Sequence, residues 1–118
     1  MEEILEGLHL EADFLMLAPE TDRYVLYIRS EQLLNGFNDK VPDKLEDKID
    51  EKLRANFHYD YCRRLGQLKS IRVFQTTGRP EREYLEECVK RGQRLGDIKP
   101  VALHLQGGWH RVFQGNYL

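Results

Sequence analysis

Two short segments near the start of the chain carry the apolar pattern of a β-hairpin. Ala12 to Ala18 is mostly apolar and stops at Pro19, and Arg23 to Arg29 alternates its side chains with a period of two. The residues between them, Pro-Glu-Thr-Asp, are turn-forming. Because both strands carry apolar residues on both faces, we expect a sheet that is covered on each side, or one whose second face meets another domain.

The middle of the chain has an apolar residue at every fourth position. Pro42 suits the first position of a helix, and the repeat then runs through Leu45, Ile49, Leu53, Phe57, Tyr61 and Leu65. In a helix that advances about 100° per residue, this series turns through about 200° and cannot stay on one face. The pattern therefore predicts a helix that begins near Pro42 and bends or breaks by Asn56 to His58.

A strand and a second helix follow. Ser70 to Thr77 alternates apolar and polar side chains as a strand does, and Thr77-Gly78 turns the chain. Pro80 then opens a helix with an apolar stripe that continues to Leu95. Both elements contribute to a mixed pattern of strands and helices.

The C-terminal part of the chain carries weaker signals. Val101 to Leu105 predicts a short strand, Gly107-Gly108 a turn, and Trp109 to Phe113 a last strand or a packing segment. Taken together, the pattern predicts an α+β fold, in which a small mixed or antiparallel sheet is packed by helices. At 118 residues, the chain is expected to form one domain over residues 1–118.

Composition narrows the range of functions. The 18 Lys and Arg residues nearly balance the 20 Asp and Glu residues, so net charge gives no reason to expect nucleic acid or an anionic membrane as a partner. No apolar run reaches the roughly 18 to 20 residues of a membrane span, and the acidic start is unlike a signal peptide. We therefore expect a cytoplasmic protein in which Cys62 and Cys88 are free thiols.

Two local constellations are open to more than one interpretation. His58 and Cys62 lie four residues apart and could begin a metal site that Cys88, His104 or His110 would complete. A structural zinc site normally has two close ligand pairs, and this sequence has only one, so we expect no metal. Arg63 and Arg64 could clamp a phosphate or carboxylate, or could hydrogen-bond the last carbonyls of a helix.

One stretch, Arg91 to Pro100, ends a helical pattern abruptly and carries a single lysine. Gly92 and Gly96 allow the positive φ that suits a helix end, and Pro100 pushes Lys99 out of the helical region into an extended conformation. Asp97 can fold back onto the backbone as an Asx turn and fix the loop. The residues by themselves favour an ordinary loop lysine after a helix end.

Four segments in order resemble a known family. In chain order they are Ala18 to Glu20, Tyr59 to Leu68, Gly92 to Pro100, and Gly108 to Phe113. Their residues and spacing are similar to the C-terminal domain of the auxin-responsive Gretchen-Hagen-three family of acyl-acid amido synthetases, in particular its bacterial members. The similarity extends over most of the chain.

The resemblance implies an ATP-dependent ligase that activates a carboxylic acid as an acyl-adenylate and passes the acyl group to an amino acid, with Mg-dependent ATP as cofactor. In this family a large N-terminal adenylation domain carries the nucleotide and acyl sites, and the C-terminal domain closes over them. Lys99 before Pro100 matches the family's lid lysine, with Gly96, Asp97 and Pro100 shaping its loop. The chain lacks the family's Thr between lysine and proline and the arginine after them, so no role for that arginine is carried over.

Two functional classes follow from this comparison. The first is the lid of an adenylating ligase, in which case Met1 follows an excised domain and residues 1–118 alone are inactive. The second is a stand-alone ligand-binding or protein-interaction module without catalysis. A preceding reading frame of roughly 400 residues with phosphate-binding motifs would discriminate them, since adenylation needs a domain much larger than this chain.

Overall fold

A four-stranded sheet runs through the residues that the computed structural model describes, which are 12–31, 45–92 and 107–117. Its strands are β1 (Phe14–Pro19), β2 (Tyr24–Arg29), β3 (Arg72–Thr76) and β4 (Gly115–Tyr117), in the spatial order β1-β2-β3-β4. The helices of the same described residues are α1 (Leu45–Leu53), α2 (Phe57–Arg64), α3 (Pro80–Lys90) and a 3-10 turn at Trp109–Arg111. The described part is a single α+β unit, as predicted.

The N-terminal hairpin has the predicted antiparallel pairing. Phe14 lies opposite Arg29, and Pro19 lies opposite Tyr24. The turn is closed by the Glu20 amide, which donates to the Arg23 carbonyl at 2.7 Å. The apolar run that ends at Pro19 and the alternation after the turn therefore identified a real hairpin.

Strands β2 and β3 are parallel, so the sheet is mixed. Leu26 pairs with Val73, and Tyr27 with Phe74. A parallel pair needs a long crossover between its strands, and α1 and α2 lie in this one. β4 returns antiparallel to β3, with Asn116 opposite Gln75.

Apolar side chains cover both faces of the sheet. Because successive residues of a strand point to opposite faces, Leu26 and Ile28 of β2 pack with Leu45 and Ile49 of α1 on one side. The intervening positions face a second cluster that contains Val25, Tyr27, Phe74, Tyr84, Cys88, Trp109 and Phe113. Of the two arrangements expected for the sheet, the covered one is confirmed.

The four-residue repeat is interrupted, as its drift around the helix predicted. α1 ends at Leu53 and α2 begins at Phe57, with the break overlapping the predicted region at Asn56. Asn56 has extended backbone angles, and its side chain accepts a hydrogen bond from the Tyr59 amide at 3.1 Å. This N-cap satisfies a free amide at the start of α2 and stabilises the new helix direction.

The C-terminal residues refine the sequence prediction. Trp109 and Phe113 are buried in a packing segment that includes the 3-10 turn, and the strand comes afterwards, at Gly115–Tyr117. Gly115 has a φ of 149°, and a Cβ there would overlap the carbonyl oxygen of Gln75. A glycine is therefore required where β4 meets β3. The strand predicted at 101–105 lies outside the described residues.

Candidate functional site

The predicted lysine loop is bounded by described residues on both sides. Lys99, Gly96, Asp97 and Pro100 themselves lie outside the described part of the chain. The Arg91 guanidinium, at the end of α3, donates from Nη2 to the carbonyl oxygen of Gly107 at 3.1 Å. The described residues on the two sides of segment 93–106 are therefore in contact. Gly92 has a φ of 97°, the positive value predicted for this helix end.

Arg91 is held in place by its neighbours. Its guanidinium lies over the ring of Trp109 at 4.3 Å from the centroid, and its Nε is 3.9 Å from a carboxylate oxygen of Glu87. Trp109 is fully buried and stacks on Tyr84, with ring centroids 5.1 Å apart. A cation over an indole face is attracted by the ring quadrupole, so this contact orients Arg91 toward Gly107.

Burial raises the pKa of the Tyr84 phenol to about 12, and contact with Cys88 adds to the effect. The phenol is therefore neutral at physiological pH. Its ring serves as packing surface beneath Trp109.

Glu20 ties the same region to the hairpin. Its Oε1 accepts hydrogen bonds from the Gly108 amide at 3.0 Å and from the Tyr27 hydroxyl at 3.3 Å, and His110 Nδ1 lies 3.5 Å away. A Cβ on Gly107 would overlap the carbonyl oxygen of Pro19, so the backbones approach closely. Burial first, and then the charge of Glu20, raise the pKa of Tyr27. Two segments that carried the resemblance, 18–20 and 108–113, thus meet in space.

We call the residues Glu20, Arg91, Gly107, Gly108 and Trp109 the loop base. A segment whose ends are fixed has fewer conformations to lose when its side chains engage a ligand. The loop base joins the described residues that lie on either side of segment 93–106. Lys99 is the candidate residue in that segment.

The Tyr59–Leu68 segment has a different task in the structure. Arg63 donates from Nε and Nη2 to the two carboxylate oxygens of Asp50 at 3.0 and 3.1 Å, and from Nη1 to the Leu68 carbonyl at 3.1 Å. The Tyr59 hydroxyl donates to Asp50 Oδ1 at 2.5 Å. The Asp50 side chain is only 10% exposed, so these bonds compensate a buried charge. They join α2 to α1.

The arginine pair is thereby assigned. Arg63 serves an internal carboxylate and a carbonyl beyond the helix end, and Arg64 pairs with Asp60 at 2.6 Å. Asp60 also accepts from Arg54, and the two arginines, Arg54 first, hold the Asp60 pKa below its usual value. Burial, followed by the bond to Asp50, raises the pKa of Tyr59.

Comparison with protein families decides what these segments belong to. The model of the GH3 family C-terminal domain matches residues 1–105. The chain is a GH3 family C-terminal domain. The matched span includes Tyr59–Leu68 and Lys99, and it ends before Gly108–Phe113. Neither a curated protein nor a solved structure matches the chain.

The possible metal ligands of this GH3 domain are dispersed. His58 Nε2 and Cys62 Sγ are 3.9 Å apart on α2, while Cys88 is buried in the cluster on the opposite face of the sheet. His104 lies outside the described residues. Among the residues that are described, no group of three His, Cys, Asp or Glu side chains could hold a metal ion. Cys62 and Cys88 are free thiols, as expected.

A cleft of about 640 Å³ opens beside the N-terminus of α3. Arg29, Arg79 and Arg82 line it together with Glu83 and Glu86. Arg29 is paired with Asp13, and Arg82 with Glu86 at 3.0 Å, so most of the positive charge of the cleft is already compensated. Across the described ranges, no helix combines the length and apolar character needed to cross a bilayer.

Three residues of the loop base were not identified as functional from the sequence. Glu20 and Trp109 belong to segments of the family resemblance, and Arg91 begins the lysine stretch, but no local pattern pairs them. Glu20 and Gly108 are 88 residues apart in the chain. A periodicity argument has no means of linking positions at that separation.

Proposed function

We propose that this GH3 domain is the C-terminal lid of an ATP-dependent acyl-acid amido synthetase. The observation that carries the proposal is the family match over residues 1–105, which spans Lys99 and the Tyr59–Leu68 segment. The partner would be an N-terminal adenylation domain of the same polypeptide. The substrates would be a carboxylic acid, ATP with Mg²⁺, and an amino acid.

The first half-reaction would form an acyl-adenylate. A carboxylate oxygen of the acid attacks the α-phosphorus of ATP, the bond to the bridging oxygen breaks, and pyrophosphate leaves with the electron pair. Negative charge builds on the α-phosphate oxygens during this step. A Lys99 ammonium aimed at that point would stabilise the charge, because a preorganised point charge acts most strongly where charge develops.

The second half-reaction would transfer the acyl group to the amine. The amino nitrogen attacks the acyl carbon, and AMP leaves as the carbon–oxygen bond breaks. After pyrophosphate has departed, the Lys99 contact is no longer required, so the lid is free to reorient. The loop base supports this proposal, since it fixes both ends of the segment that carries Lys99.

The decisive experiment measures both half-reactions for Lys99→Ala in the polypeptide that joins this domain to its adenylation domain. We expect adenylation to lose about 100- to 1000-fold in kcat with little change in KM, because one preorganised charge contributes about 3 to 4 kcal/mol. Acyl transfer from a supplied acyl-adenylate should fall much less. Lys99→Arg should rescue poorly, since a planar guanidinium does not reproduce a compact ammonium.

Lys48→Ala is the matched control, because Lys48 is an exposed lysine of α1 remote from the loop base in sequence. It should leave both half-reactions unchanged. Equal losses in the two half-reactions for Lys99→Ala, or no loss in adenylation, would return Lys99 to an ordinary loop lysine.

Residues 1–118 alone should catalyse no ATP–pyrophosphate exchange with any carboxylic acid. The sequence contains no glycine-rich phosphate loop, so nucleotide would be held by the other domain. Robust exchange by the isolated chain would contradict the proposal.

A further inference from the structure

Helix α2 and its C-cap residue Leu65 carry a row of exposed apolar side chains. Phe57 is 83% exposed, Tyr61 51% and Leu65 52%. They follow one another at intervals of four residues, so they form one stripe along the helix. The rings of Phe57 and Tyr61 stack, with centroids 6.1 Å apart and planes inclined by 17°. We call these three side chains the outer stripe.

The outer stripe is held rigidly. On another face of the same helix, Tyr59 and Arg63 bind the buried carboxylate of Asp50, and Asn56 caps the N-terminus. Helix α2 therefore cannot rotate to bury the stripe without breaking those bonds. A preorganised apolar surface loses little entropy when a partner covers it.

A stripe of this kind is characteristic of an interface. Single exposed apolar residues are normal on protein surfaces, whereas the largest contiguous apolar patch of a monomer, about 300 to 600 Å², is often functional. An aromatic side chain can bury roughly 150 to 250 Å², so the exposed fractions of these three side chains offer roughly 300 to 400 Å². A stable complex of separate proteins needs about 800 Å² from each partner. The outer stripe is too small for an untethered dimer.

The same area suits two domains of one polypeptide. Interfaces between tethered domains can be as small as about 600 Å² in total, because the linker supplies a high effective concentration. Arg64 flanks the stripe with its side chain 72% exposed. Because Arg64 already pairs with Asp60 at 2.6 Å, the complementary surface is apolar and needs no charged group for it.

We infer that the outer stripe docks this domain onto an apolar pocket of the N-terminal domain of the same polypeptide. The inference rests on the proposed function, since it takes its partner from there. It assigns the contact to a particular helix face, separate from the loop base.

Hydroxyl-radical labelling of side chains tests the inference directly. Phe57 and Tyr61 should be labelled about fivefold less in the joined polypeptide than in residues 1–118 alone, because side chains in the centre of an interface are fully desolvated. Val89, which is 47% exposed on α3, is the internal control and should be labelled equally in both. Equal labelling of Phe57 and Tyr61 in the two proteins would refute the docking.

Sedimentation of residues 1–118 tests whether a second copy of the chain covers the outer stripe instead. The chain should be monomeric at micromolar concentration. A dimer that the double variant Phe57→Ser/Tyr61→Ser dissociates would instead make the stripe an interface between two copies and would overturn the inference.

The same double variant in the joined polypeptide should release the labelling protection of Leu65, while Val89→Ser should not. The protection is measured without substrates. If Lys99→Ala leaves adenylation intact while the stripe is protected, docking stands and the catalytic proposal fails. If Lys99→Ala behaves as expected and the stripe is unprotected, the docking inference alone fails.

Discussion

Replacing Arg63 by methionine should destabilise the domain strongly. The substitution removes the two hydrogen bonds to Asp50 and the bond to the Leu68 carbonyl, while keeping most of the side-chain volume. Asp50 is left with the Tyr59 hydroxyl as its remaining side-chain donor among the contacts described above. The carboxylate of Asp50 is 10% exposed and the Arg63 side chain 21%, so water replaces the lost partner poorly.

The size of the effect follows from that burial. Removing one partner of a buried ion pair costs about 3 to 5 kcal/mol, and some solvent access to Arg63 reduces this to about 2 to 4 kcal/mol. Asp50→Asn combined with Arg63→Met should cost at least about 1 kcal/mol less than the sum of the two single substitutions, because no unpaired charge remains. An exposed pair behaves differently: Arg82→Met, which breaks the pair with Glu86, should cost less than about 0.5 kcal/mol.

Urea unfolding followed by tryptophan fluorescence measures these differences. Trp109 is the chain's single tryptophan and is fully buried, in the cluster on the face of the sheet opposite α1. If the domain unfolds cooperatively, fluorescence and far-UV circular dichroism should give the same transition midpoint. A loss below about 1 kcal/mol for Arg63→Met, or a cost equal to that of Arg82→Met, would refute the role assigned to the buried pair.

Two further outcomes are expected. The pKa of Tyr84 is about 12 in the folded state and near the usual value of 10 in the unfolded chain. The protonated phenol therefore stabilises the fold fully below pH 10, and this stabilisation is lost as pH rises from 10 to 12. Because the pKa values of Tyr27 and Tyr59 are raised as well, a Tyr84→Phe variant should still lose stability above pH 10, but less steeply between pH 10 and 12 than the wild type. Urea unfolding at a series of pH values, with absorbance at 295 nm to follow phenol ionisation, measures this slope, and an unchanged slope would contradict the assignment. Gly115→Ala should destabilise by about 1 to 3 kcal/mol in urea unfolding, since its Cβ would overlap the Gln75 carbonyl. Gly66→Ala, at a φ of 76° with open space around it, is the control and should cost less; equal costs would show that backbone conformation alone matters at Gly115.

Local pattern was sufficient for the individual elements. The hairpin followed from an apolar run and an alternating run around a turn, and the break between α1 and α2 followed from the angular drift of a four-residue repeat. The start of α3 at Pro80 followed from the proline itself. Each of these signals lies within a few residues of the feature that it predicts, which is why the sequence could supply them.

Part of the functional prediction also came from local sequence. Four segments in order, among them the motif around Lys99 and Tyr59–Leu68, indicated the GH3 family, which the family match then established. The same local sequence did not show that Tyr59–Leu68 joins two helices through Asp50. Arg63 could be assigned only when Asp50 was found beside it, since the two are 13 positions apart on helices whose relative direction depends on the break.

The sequence by itself determined the hairpin, the strand β3, where the helices lie and where the long one is interrupted, and which faces are apolar. The tertiary structure alone decided that β2 and β3 run parallel, that β4 completes the sheet, and that Glu20 and Arg91 meet the backbone at Gly107–Gly108. The physical reason is the range of the information. Periodicity indicates whether a side chain is buried, but it does not say which apolar face packs against which. Polar partners are brought together only when the whole chain has packed.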